Sequence, residues 1–135
     1  MDVKLSHCFV TVHDQEEALT FYRDALGLEV RADVPLGPMR WLTVGSTSQP
    51  GGTELSLETP EGRPGDVEAL RDVIAAGSLT AAILETTDCD ALFAKAVAAG
   101  AEVIQEPKDQ PYGVRDCAVR DPSRNMVRFA QPLEG

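Results

Sequence analysis

The sequence predicts an α+β fold in which two βαβββ modules form a curved mixed sheet around a cavity. Three observations predict it. The same order of strand and helix candidates occurs twice along 135 residues. Within that order, "ALGLEV" at 25–30 returns as "AAGAEV" at 98–103, 73 residues later. Each module also has a single helix to cover several strands, so one face of each sheet is left uncovered. Two such faces, curled together, enclose space for a ligand.

The first element is "KLSHCFVTV" at 4–12, β-branched and aromatic enough for a strand. Period-two alternation puts His7, Phe9 and Thr11 on one face, with Cys8, Val10 and Val12 on the other. Asp14 is placed to cap a helix, and Glu17 three residues later gives a capping-box-like spacing. Ala18, Phe21, Tyr22, Ala25 and Leu26 then recur at helical spacing up to Gly27, a natural residue just past a helix end. Strands are predicted near 28–33, 38–45 and 53–58, with the turn-forming "GSTSQPGG" before the last. Residues 59–77 read as a connector with a short helix in its second half. The pattern restarts with the strand "SLTAAILETT". A helix follows, capped by Thr87 or Asp88, carrying Leu92, Phe93, Ala96 and Val97 and ended by Gly100. Strands are predicted near 101–106, 112–120 and 125–131. The chain thus divides into module one (1–58), a connector (59–77) and module two (78–135), all within one domain.

Composition narrows the function classes. Hydrophobic residues at 43% and charged residues at 25% suit a soluble globular protein. No apolar run approaches the ~20 residues needed to span a bilayer, and the N-terminus has no secretory pattern. Cys8, Cys89 and Cys117 lack C-x-x-C spacing and are expected to be buried, reduced thiols in a cytoplasmic protein. A net charge of −10 argues against nucleic acid, whose phosphates demand clustered cations. No G-x-S-x-G elbow is present, and "PGG" lacks the strand–helix setting of a phosphate loop.

The segments "HCFVTVHDQEEALTFYRDALGLEV" and "AVAAGAEVIQEPKDQPYGVRDCAVRDPSRNMVRF" resemble the vicinal oxygen chelate proteins. That superfamily includes glyoxalase I, extradiol dioxygenases, fosfomycin-resistance enzymes and bleomycin-resistance proteins. The resemblance implies a U-shaped cavity, usually within a homodimer. In the metal-dependent members, the first and last strands of each module supply His and Glu ligands at four positions.

Those positions decide what the resemblance implies here. His7 matches the first. It lies 20 residues before Gly27, and the same step back from Gly100 reaches Thr80. In "TELSLE" the matching residue is Ser56, with Glu54 or Glu58 in its place if the register shifts by two. In "NMVRF" it is Arg128, a fixed cation that offers only donors. One good ligand, one arguable and two absent predict no metal and no other cofactor, which argues against the Lewis-acid and redox chemistry that the metal-dependent members rely on.

The predicted lining is His7, Phe9, Trp41, Glu54, Ser56, Thr80, Tyr112, Arg115 and Arg128. Aromatic platforms with scattered polar groups suit a flat or amphiphilic organic molecule. The bland alternatives are core packing for Trp41, a surface ion pair of Arg115 with Asp116 or Asp121, and a bridge from Arg128 to Glu54 or Glu58. The leading expectation is a metal-free binding protein that sequesters a small organic molecule, such as an antibiotic or toxic metabolite. The rivals are a metal-dependent lyase, isomerase or dioxygenase using His7 with Glu54 or Glu58, and a metal-independent enzyme with His7 as base. Ligand charge stays open, since the acidic balance suits a cation while Arg115 and Arg128 suit an anion. In "DPSRN", Arg124 stands where the superfamily usually has Gly, which predicts a positive φ or an altered turn.

Overall fold

The computed structural model describes residues 1–134. Module one contains β1 (His7–Thr11), α1 (Gln15–Leu19), a π-helical continuation (Thr20–Ala25), β2 (Glu29–Leu36), β3 (Met39–Gly45) and β4 (Glu54–Glu58). A 3₁₀ turn (Pro60–Gly62) and α2 (Val67–Ala75) make up the connector. Module two contains β5 (Thr80–Glu85), α3 (Cys89–Ala98), β6 (Val103–Asp109), β7 (Val114–Arg120) and β8 (Met126–Pro132). Among the described residues, no helix is long and apolar enough to cross a membrane.

Local chemistry explains where the helices start and stop. The carboxylates of Asp14, Asp66 and Asp88 accept from the backbone N–H groups of Glu17, Ala69 and Ala91 at 2.9–3.0 Å, one N-cap for each helix. The first helix widens after Leu19, with Leu26 N donating to Phe21 O at 2.9 Å across a five-residue turn. Both Phe21 and Tyr22 in that turn are buried, and their rings meet edge to face at 4.9 Å. Gly27 (φ 81°) then reverses the chain, and Gly100 (φ 92°) does the same for module two.

Two four-stranded mixed sheets result, in the orders β1-β4-β3-β2 and β5-β8-β7-β6. The first and last strands of each module pair in parallel: Phe9 lies opposite Ser56, and Ile83 opposite Arg128. An irregularity between Thr80 and Ala82 moves the register of β5 by one residue. The helix-side residues of both sheets, among them Val10, Leu57, Val119 and Phe129, merge with the helices into one core. Burying each such side chain is worth roughly 1.5–3 kcal/mol.

Polar contacts tie the modules together at the turn before β8. Tyr22 Oη donates to Asp121 Oδ2 at 2.6 Å, Asn125 Nδ2 donates to Thr11 O at 2.8 Å, and His13 N donates to Ser123 Oγ at 2.8 Å. Burial pushes the Asp121 carboxyl above its ordinary range, against the hydrogen bonds it accepts from Tyr22, Asn125 and Ser123. Arg124, in the same turn, has φ 73°.

The expectation for the cysteines needs one correction. Cys89 and Cys117 are buried, with sulfurs 3.6 Å apart, but Cys8 is exposed. It belongs to the helix-side set of β1, yet that set is covered only from Val10 onward.

Candidate ligand-binding site

The faces of the two sheets turned away from the helices carry different chemistry. On module one the alternation of β1 brings His7 and Phe9 to the same side as Trp41 of β3. Their ring centroids lie 5.5 and 6.4 Å from that of Trp41. Ser56, buried between Phe9 and Thr43, forms the floor. A recess of about 260 Å³ opens here, walled by Phe9, Leu36, Met39, Trp41, Ser56 and Glu58.

The connector closes one end of this recess. Arg63 lies over the Phe9 ring at 5.8 Å from its centroid and 3.8 Å from Glu58 Oε2. Gly62 makes the approach possible, because a Cβ there would lie 2.5 Å from Glu58 Oε1 and 3.0 Å from Met39 Cε. At the other end, His7 Nε2 stands 3.6 Å from Glu54 Oε1, which accepts from Thr43 Oγ1 at 2.6 Å.

Module two presents a polar network instead. Asp116 of β7 is buried and accepts from Gln105 Nε2 (2.9 Å), Gln110 Nε2 (2.9 Å) and Tyr112 Oη (3.1 Å). Arg128 Nη1 donates to Gln105 Oε1 at 3.1 Å and lies 3.4 Å from Asp116 Oδ2. Burial alone would raise the Asp116 carboxyl, but donors from Gln110, Gln105 and Tyr112, with the charge of Arg128, hold it below its ordinary range.

Of the residues the sequence singles out, His7, Phe9, Trp41, Glu54 and Ser56 share the module-one face, and Tyr112 and Arg128 share the module-two network. Among the described residues, no hydrogen bond, ion pair or ring contact joins the two groups. Thr80 pairs with Met126 at the exposed start of β5. Arg115 is held elsewhere, by Asp90 (2.9 Å) and Asp109 (3.1 Å), because it alternates away from Asp116 along β7. The ion pairs weighed for it with Asp116 or Asp121 are therefore replaced. The bridge weighed for Arg128 is replaced too, since its acidic partner is Asp116 of its own sheet rather than Glu54 or Glu58.

Sequence reasoning did not pick out Asp116, Gln105 and Gln110 as members of this network. The available signal was Asp116 itself, an acid on the face of β7 that also carries Ala118. Met39, Gly62 and Arg63 gave no signal, because their role depends on where the connector folds back.

A family model described as the Glyoxalase/Bleomycin resistance protein/Dioxygenase superfamily matches residues 4–129. The chain belongs to this superfamily. It is 34% identical over 122 residues to the uncharacterized protein YurT of Bacillus subtilis (strain 168), covering 90% of this chain and 94% of that one. Among solved structures it resembles UcmS2, at 34% identity and a TM-score of 0.85, over 96% of this chain and 98% of that one. It also resembles TnmS3, an antibiotic binding protein from Streptomyces sp. CB03234, at 32% identity and a TM-score of 0.75, over 97% of each chain.

The four positions that the resemblance assigns to metal ligands hold His7, Ser56, Thr80 and Arg128 here, and Arg128 would bring a cation where a ligand carboxylate is needed. Among the described residues, no three His, Cys, Asp or Glu side chains converge to hold an ion. This donor set does not fit a divalent metal, and no chemistry is routed through one.

Proposed function

We propose that this protein binds and sequesters a flat or amphiphilic organic molecule, of the antibiotic or toxic-metabolite kind, without a bound metal. The observation that carries the reading is the recess around Trp41, where two aromatic rings, a thioether and a leucine surround a buried hydroxyl and a carboxylate. Apolar walls with few, fixed polar groups are the makeup of small-molecule sites. The likeness to TnmS3, described as an antibiotic binding protein, supports the same class of ligand.

The protein acts as a homodimer in this reading. Phe9 is 50% exposed, Leu36 57% and Ile83 67%, all on helix-free faces. A second copy laid over these faces removes apolar surface from water and closes the recess around its ligand.

One observation favours a second reading. His7 Nε2 and Glu54 Oε1, 3.6 Å apart, form an imidazole–carboxylate pair on the module-one face, as a glyoxalase-like enzyme of the superfamily would need for acid–base or metal chemistry. Fluorescence of Trp41, the single tryptophan, separates the proposals. Saturable quenching by planar aromatic compounds that are recovered unchanged supports sequestration. Conversion of the compound, lost in His7→Ala, supports the enzyme.

A further inference from the structure

We infer that the ligand carries a carboxylate, and that the Nε–Nη2 edge of Arg128, positioned by Asp116, is its anchor. This rests on the reading above, and it settles the ligand charge that composition leaves open.

Donors and acceptors on the helix-free face of module two can be matched one by one. An ionised carboxylate offers about four acceptor sites. Those of Asp116 meet four donors: Gln105 and Gln110 at Oδ1, Tyr112 and Arg128 at Oδ2. Asp116 is thus saturated, and it has no capacity left for a cationic guest. Its buried charge instead acts on Arg128, which spends only Nη1 on the protein, toward Asp116 and toward Gln105 Oε1. Gln105 is itself fixed, because its Nε2 already donates to Asp116.

Among the described residues, Nε and Nη2 of Arg128 have no protein partner, and the side chain is 26% exposed. Those two N–H groups are parallel and match the spacing of two carboxylate oxygens. Of the other charged groups, Glu54 stands beside His7 and Glu58 beside Arg63 on the module-one face, while Lys108, opposite Asp116, and Glu85, opposite Ala130, are exposed on the module-two face. Beside Arg128 on the neighbouring strand lies Ile83, largely exposed, which offers apolar surface to the body of the same ligand. The ligand class is an aromatic carboxylate.

Asp116 is a positioning residue in this account, because it touches the ligand only through Arg128. Calorimetric titration of the intact protein with 2-naphthoate and with neutral 2-naphthalenemethanol tests the assignment. The wild type is expected to prefer the carboxylate by about tenfold, as charge-assisted pairing requires. Arg128→Gln should bring the ratio of affinities close to one while the alcohol still binds, and Arg128→Lys should keep part of the preference as a point charge. Asp116→Asn should lower the ratio although Arg128 remains, an effect that a purely structural loss would spread equally over both probes. Equal affinity of the wild type for both compounds, or a ratio unmoved by Arg128→Gln, overturns the inference and leaves sequestration standing. Binding of neither compound overturns both.

Discussion

Trp41 and Asp116 stand at equivalent positions of the two modules. Thr43 pairs with Ser56 and Ala118 with Arg128, and Trp41 and Asp116 each lie two residues earlier on the same strand face. One module uses that position for an aromatic platform and the other for a buried charge. The repeat therefore supplies a single backbone plan with two different chemical faces.

The Asp116 network should leave its mark on acid stability. Its folded-state carboxyl lies below the ordinary value of about 3.9. Its contribution is therefore present in full above that value, and is lost as the pH falls through the lower folded one. Asp116→Asn is expected to cost about 1–3 kcal/mol at neutral pH, because it presents an NH₂ to donors and leaves Arg128 without its counter-ion. Urea unfolding between pH 7 and pH 3 should show the gap between variant and wild type narrowing at the acid end.

Gly62→Ala should separate binding from stability. The added Cβ meets the end of the Glu58 side chain and Met39 Cε, both of which swing aside at small cost. A stability change of about 0.5 kcal/mol is expected. Glu58 and Met39 both line the recess, so affinity for planar aromatic compounds should fall several-fold as they shift, as read by quenching of Trp41.

The hydroxyl of Tyr22 holds the two modules in place. Tyr22→Phe removes a 2.6 Å hydrogen bond to a buried carboxylate, with an expected loss of about 1–3 kcal/mol. Denaturant unfolding followed by far-UV circular dichroism measures it. A loss within error would show that Asn125 and Ser123 alone secure the turn.

Arg124→Gly should stabilise the fold. A φ of 73° at a residue with a Cβ is strained, and glycine removes the strain at some cost in chain entropy. The ion pair given up, Arg124 with Glu102 at 3.7 Å, is exposed and weak. A net gain of about 0.5 kcal/mol in the same unfolding assay is expected.

How far the fold could be read in advance depended on the range of the interactions. Strand alternation, the Asp caps and the glycine helix ends are local, so the two βαβββ modules and the strained Arg124 were visible in order and type. The module-one face was visible for the same reason, since His7 and Phe9 share a parity and Ser56 follows from the parallel pairing of first and last strands. Contacts that join distant segments were not visible. The sequence pointed Arg128 toward Glu54 or Glu58, across the modules, whereas β7 pairing delivers Asp116 from the same sheet. Arg115 differs from its neighbour Asp116 by one step of alternation, which sends it to Asp90 and Asp109 instead. The widening of the first helix at Thr20 leaves no mark in its apolar spacing.

Binding without metal is tested by one paired titration. Quenching of Trp41 by planar aromatic compounds is measured on chelator-treated protein, and again after incubation with nickel, zinc, manganese or iron followed by dialysis and elemental analysis. The account predicts the same saturable quenching in every sample, with no stoichiometric metal retained. One equivalent of metal per chain, lost in His7→Ala, together with quenching only in the loaded protein, would contradict it.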